Sequence, residues 1–224
     1  LAETYREDGV LKRAEELTRC EVEGLERVIG QENSLTIMLK STLCTIIEAQ
    51  SLWPDTEGLR LEIIDAKKRL HGPGHLYTLY DINSLGVLYA RQERWGDAES
   101  SFTQVIQRTK SILGNEHPQT LRCIMNLAAI LNQQDKLDEA ERLELEGLAT
   151  CEKALGQKHP LTLTFRENLA LTYEQRGDFH EAAKLQREVL EEMEATLGPY
   201  HDNVLRSTIN LSEIYEKDGR LQDS

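Results

Sequence analysis

The sequence predicts an all-α solenoid of antiparallel helix pairs, and three observations carry that prediction. The first is a period: Gly30, Gly72, Gly114, Gly156 and Gly198 stand 42 residues apart, as do His75, His117, His159 and His201. Leu85, Leu127, Leu169 and Leu211 keep the same spacing, and so do Thr78, Thr120 and Thr162. A period of about 20–50 residues is the signature of stacked repeats. The second is that each period holds two amphipathic stretches with a polar break between them. The third is composition: at 39% hydrophobic and 5% aromatic, the chain can fill a continuous core but is poor in the aromatic residues of a β-sandwich or barrel.

Within 114–155, Leu121, Ile124, Leu127, Ala128 and Leu131 recur at steps of three and four, the pattern of a one-sided helix. Pro118 fits a first helical turn, where its missing N–H is no loss, and His117 before it is expected to cap or staple that turn. After the break at 133–136, a second helix carries Leu137, Ala140, Leu143, Leu148, Cys151 and Leu155. Gly156 is expected to close it as a left-handed C-cap. Each unit is therefore a first helix (A) and a second helix (B), neither able to bury its apolar stripe without its neighbours.

The register places A helices near 77–92, 119–134, 161–176 and 203–218, and B helices near 95–112, 137–154 and 179–196. A less regular unit covers roughly 35–70, with Pro54 after Trp53 expected to open its B helix. Small residues recur in the B helices at Ala14, Ala98, Ala140 and Ala182, with Thr56 in the irregular unit. A small side chain there lets helix axes approach closely. Gly9, Gly177 and Gly219 are expected to form the A-to-B turns, with Glu93 and Asp135 in that place elsewhere. Gly147 stands where other units have Ile63, Val105 and Val189, and is expected to allow a close approach or a bend that adjusts curvature.

The organisation expected is a single array over 1–224. It comprises a partial repeat at 1–29, repeats at about 30–71, 72–113, 114–155 and 156–197, and a partial repeat at 198–224. The chain opens on Leu1 and both ends cut through a repeat, so a fragment of a larger protein is expected.

Net charge is −13 and pI is about 5.0. An acidic chain lacks the basic face that phosphate backbones and anionic membranes require, which excludes bulk nucleic-acid binding and membrane-surface attraction. No apolar run approaches the ~18 residues of a membrane span. Cys20, Cys44, Cys123 and Cys151 form no metal-ligand spacing and read as free thiols of a reducing, cytoplasmic setting.

The pattern Leu113, Gly114, His117, Pro118, Thr120, Leu121, Asn126, Leu127, Ala128 returns as Leu155, Gly156, His159, Pro160, Thr162, Leu163, Asn168, Leu169, Ala170. It resembles the 42-residue tetratricopeptide repeats of the kinesin light chain type, over essentially the whole chain. The resemblance implies a right-handed superhelix whose A helices line a concave groove for protein or peptide partners. Two kinds of protein use this long repeat heavily: kinesin light chains, and the repeat tails of NB-ARC or NACHT receptor-like ATPases of the STAND class. The Thr-Leu after His-Pro favours a sensor or interaction arm of such a receptor. A cargo adaptor and a structural oligomerisation module are the alternatives.

The family's peptide-holding asparagine falls on Asn126, Asn168 and Asn210, with Ser84 and Thr42 in the same place of the other units. An amide offers an extended backbone both a donor and an acceptor. Helical periodicity puts the residues four before and seven after on the same face. These are Tyr80 and Arg91, Arg122 and Gln133, Thr164 and Gln175, Arg206 and Lys217. That set holds four cations and no acid, with Glu213 nearby the exception. The expectation is therefore an acidic or polar extended peptide, bound by a monomer with Arg122 and Arg206 as anion contacts. The place of the family's basic B-helix residues holds Lys67, Thr109, Cys151 and Met193, which leaves room for a more apolar pocket near the last two.

No catalysis is expected. The chain lacks GxxxxGK[ST], GxSxG and HExxH. The repeated histidines lie one per unit, too far apart to share a metal with ~2 Å bonds, and no cofactor is implied. Glu139, Glu141, Glu144 and Glu146 read as a solvated outer face.

Overall fold

A computed structural model describes residues 2–50 and 56–219, with side chains from Val10 onward. Among the described residues there are ten helices and no strand: α1 (Ala2–Ile29), α2 (Ser34–Ala49), α3 (Glu57–His71), α4 (Leu76–Arg91), α5 (Trp95–Leu113), α6 (Pro118–Gln133), α7 (Leu137–Leu155), α8 (Pro160–Arg176), α9 (Phe179–Leu197) and α10 (Asp202–Lys217). The boundaries fall within a residue or two of the sequence register. The expectation for Trp53 and Pro54 lies outside the described residues. The expected turn at Gly9 does not form, because α1 runs unbroken from Ala2 to Ile29. A glycine inside a helix costs about 1 kcal/mol and does not by itself end one.

The period has a physical origin in the B-to-A turn. Gly72, Gly156 and Gly198 adopt φ of 92, 94 and 83° with ψ of 160, 162 and 158°. That is the mirror-extended region, essentially closed to residues with a Cβ, and not the left-handed cap expected from sequence. The turned carbonyl then accepts a hydroxyl six residues on. Thr36 donates to Gly30 O at 2.8 Å, Thr78 to Gly72 O at 3.0 Å, Thr120 to Gly114 O at 3.0 Å and Thr162 to Gly156 O at 2.8 Å. All four threonines are fully buried. Three residues after the glycine, an imidazole caps the next helix in four turns, the last of which has Val204 in place of Thr: His75, His117, His159 and His201 Nδ1 accept from the backbone N–H two residues on at 3.1–3.3 Å. Asn33 takes that place before α2. Gly, His and Thr are thus one device for turning the chain.

The A-to-B turns do use the left-handed region. Gly177 has φ 84°, and Glu93 and Asp135 hold φ of 59 and 61° without being glycine. In each, the next N–H closes onto a carbonyl five residues back: Arg94 to Tyr89 O at 2.9 Å, Lys136 to Leu131 O at 2.9 Å, Asp178 to Tyr173 O at 2.8 Å.

The chain forms two compact units, 1–108 and 109–224. In the first, α2 packs on α1 and α3, and α3 on α4. Ile37, Cys44, Ile63 and Ala66 form one core cluster, and Val22, Leu43 and Ile47 another. In the second, α6 to α10 pack in series, each on the next. Leu163, Val189, Met193 and Val204 cluster around α9, as do Ala182, Ala183, Ile214 and Tyr215. Ala98, Ala140 and Ala182 have no exposed surface, as their small size predicts. Cys151 and Met193 are core residues too, so the apolar pocket expected beside them is filled by packing.

Gly147 has a specific cause. A Cβ there would collide with the ring of Phe165, which is fully buried. Gly86 does the same for Phe102, whose Cε1 lies 2.9 Å from the place a Cβ would take. Burying such a ring contributes about 1.5–3 kcal/mol, more than the helix loses to one glycine. Gly147 is therefore the bed of an aromatic ring.

Candidate ligand groove

Consecutive A helices face one another across a groove in each unit. In the second unit, α9 packs against both α8 and α10, and the two A helices leave a groove of ≈ 530 Å³ between them. Four of the sequence-predicted residues meet here: Asn168 from α8, and Arg206, Asn210 and Lys217 from α10, with Thr164 beside them. Asn168 and Asn210 are half-buried, and Arg206 and Lys217 exposed. Asn126 is half-buried on α6, while Arg122, Gln133 and Gln175 are exposed; none of these lines the groove.

The first unit has a similar groove of ≈ 540 Å³ between α2 and α4, which brings together Thr42, Tyr80 and Ser84. Arg91, exposed at the end of α4, does not line it. The hydroxyls of Thr42 and Ser84 donate to carbonyls of their own helices, Met38 at 3.2 Å and Tyr80 at 3.1 Å. Only their lone pairs face a ligand. Behind them lies a charged network. Asp81, 1% exposed, accepts from Lys67 Nζ at 2.6 Å, and Arg60 binds Glu48 at 2.5 Å. Lys67 therefore neutralises a buried acid of its own unit.

The expected acid-free face is not what forms in the second unit. Glu167, Glu174 and Glu213 line the groove with Arg206 and Lys217, and Lys217 is ion-paired with Glu174. The sequence criterion was too narrow. With 3.6 residues per turn, each residue advances about 100°. Positions four before and seven after the asparagine fall within about 20° of each other, whereas Glu167, Glu174 and Glu213 lie up to about 120° round towards the neighbouring helix. The periodicity contains the signal once the whole arc is counted.

Glu167 stands out electrostatically. Its Oε1 is enclosed with no hydrogen-bond partner. Burial pushes its carboxyl above the usual range, with Arg206 pulling it back in part.

A second acid also departs from the sequence reading. Glu144, read as part of a solvated face, has no exposed surface. Thr172 Oγ1 lies 2.6 Å from its Oε2, and Asn132 Nδ2 lies 3.4 Å from Oε1 and 2.8 Å from Thr172 Oγ1. Desolvation, partly offset by those hydrogen bonds, raises its pKa to about 7. Among the described residues, no group of three His, Cys, Asp or Glu side chains is placed to hold a metal, and no helix is long and apolar enough to cross a membrane.

Parallel A helices lining grooves, with B helices packed between them, define a helix-pair repeat protein. The chain belongs to the tetratricopeptide repeat family, whose model matches residues 80–153, 123–191 and 161–224, together more than half of the sequence. Solved structures of kinesin-light-chain-like proteins share the fold. BtubC (BKLC) from P. vanneervenii is similar at 20% identity with a TM-score of 0.78, covering 95% of this chain and 85% of that one. A Podosopora anserina putative kinesin light chain with nearly identical TPR-like repeats is 22% identical with a TM-score of 0.76, covering 88% and 92%. A Rap protein complexed with Competence and Sporulation Factor is 10% identical with a TM-score of 0.67, covering 96% of this chain and 61% of that one. Comparison with curated protein sequences returns no match.

Proposed function

We propose that this chain is a non-catalytic scaffold that holds an extended polypeptide in the grooves between its A helices, as the sensor or interaction arm of a STAND-type receptor in the cytoplasm. The observation that carries the binding reading is the convergence of Asn168 and Asn210 on one groove from two successive A helices. Each amide can donate to a backbone carbonyl and accept from a backbone N–H, which positions a peptide without dictating its sequence. Arg206, in the same groove, and Arg122, exposed on α6, supply anion contacts for acidic side chains. The chain acts as a monomer in this reading. The receptor context rests on the Thr-Leu that follows His-Pro in two repeats. A second reading, a cargo adaptor, is favoured by the fold shared with the putative kinesin light chain.

Display selection from random peptides of about 12 residues, followed by anisotropy titration, tests the groove. Asn168→Ala with Asn210→Ala is expected to weaken selected peptides by about tenfold or more, at about 1 kcal/mol per lost hydrogen bond, with the circular dichroism melt unchanged. Equal affinity of the folded double variant would remove both amides from the site.

A further inference from the structure

We infer that the groove between α8 and α10 receives a cationic side chain, a lysine or arginine of the bound segment, against Glu167. This rests on the peptide-binding reading above and adds the chemistry of one contact to it.

The groove has an unmet demand. Of its three carboxylates, Glu174 is answered by Lys217. Glu167 is not: its Oε1 is enclosed and without a partner. A carboxylate only accepts hydrogen bonds, and an enclosed one left unpaired is costly. The nearest counter-charge, Arg206, acts on Glu167 through the field while its own side chain is exposed. Three acids against two cations also leave the groove one negative charge in excess.

The surroundings suit a long basic side chain in particular. Leu171, one turn beyond Glu167 and 43% exposed, offers apolar surface to a methylene stem. Glu167 as a whole is only half-buried, so a turn of its carboxylate into the groove lets the charged head meet it as a charge-assisted donor, stronger than a neutral N–H would be. The asparagines hold the backbone, and Arg206 remains open to an acidic group. The segment that fits best therefore carries both signs of charge.

The test uses the peptides selected on the wild-type protein. Each basic residue is replaced in turn by norleucine, and every peptide is titrated against wild type, Glu167→Gln and Glu167→Asp. One basic position should cost about tenfold in affinity on wild type and less than about twofold on Glu167→Gln, with Glu167→Asp in between. Affinity that depends on Asn168 and Asn210 but shows no such coupling overturns the cation site and leaves the groove reading standing. Peptides indifferent to the asparagines and to Glu167, or a selection without binders, overturn the groove reading and this contact with it.

Discussion

At the scale of single residues, Glu144 is the side chain with the clearest measurable consequence. Thr172 Oγ1 has one hydrogen and lies near two acceptors, Glu144 Oε2 and Asn168 O at 3.1 Å. A neutral Glu144 resolves the competition, donating to Thr172 while Thr172 donates to Asn168 O. The folded pKa of about 7 lies above the ordinary 4.5, so the folded state holds this proton more tightly than the unfolded chain. The resulting stability is fully present below about pH 4.5 and is lost as pH rises through 7. The gap corresponds to about 3 kcal/mol at 1.36 kcal/mol per unit. Glu144→Gln should flatten that loss: the difference between wild-type and variant unfolding curves in urea should run against wild type from pH 5 to 8. A constant difference across that range would show that Glu144 is ionised throughout. The sequence held a clue to this burial, because Ala140, Glu144, Gly147 and Cys151 share the spacing of the buried stripe. The acids at Glu139, Glu141 and Glu146 masked it.

At the scale of the element, the two turn types separate what the period made legible from what it did not. Helix limits followed from the repeat because every B-to-A turn combines Gly with a capping His or Asn, and all but the last add the Thr, and a spacing of fixed residues reports a fixed geometry. The groove amides were legible for the same reason. Gly9 was misread because a glycine permits a turn without requiring one, and nothing else in 1–29 distinguishes a turn from a continuous helix. The A-to-B turns are tolerant of sequence, but not without cost. Glu93 and Asp135 sit in the left-handed region, about 1–2 kcal/mol uphill for a residue with a Cβ. Glycine relieves that while adding about 0.5–1 kcal/mol of unfolded-state entropy. Glu93→Gly should therefore stabilise the protein by about 0.5–1 kcal/mol, and Asp135→Gly by less, since a short polar side chain tolerates this region better. Urea midpoints at constant slope measure both, and destabilisation by either would mean that the side chain makes compensating contacts.

At the scale of the whole molecule, the repeats share one backbone plan but not one core. One B-helix position, 42 residues apart along the chain, reads Arg60, Phe102, Glu144 and Gln186, all buried. Each is met differently: Arg60 by Glu48, Phe102 by Gly86, Glu144 by Asn132 and Thr172, and Gln186 by the Ser207 hydroxyl at 2.8 Å. Gly147 with Phe165 is another such match, and the positions 42 residues before and after them hold other residues, Val105 and Cys123, then Val189 and Ser207. Gly147→Val should cost more than the ~1–3 kcal/mol usual for overpacking, and Phe165→Cys about 3 kcal/mol or more for the lost ring. The double variant removes the ring and fills the space it leaves, and should be far more stable than the sum of the two. Additive losses in thermal unfolding would refute the matched pair.

Those private matches bear on how such a gene can change. Arrays of near-identical units shrink and grow by unequal recombination, since any copy can follow any other. Here, excising 114–155 would remove Gly147, Glu144 and Asn132 and leave Phe165 and Thr172 without the residues that accommodate them. The copies carry addresses, and their order is part of what the packing specifies.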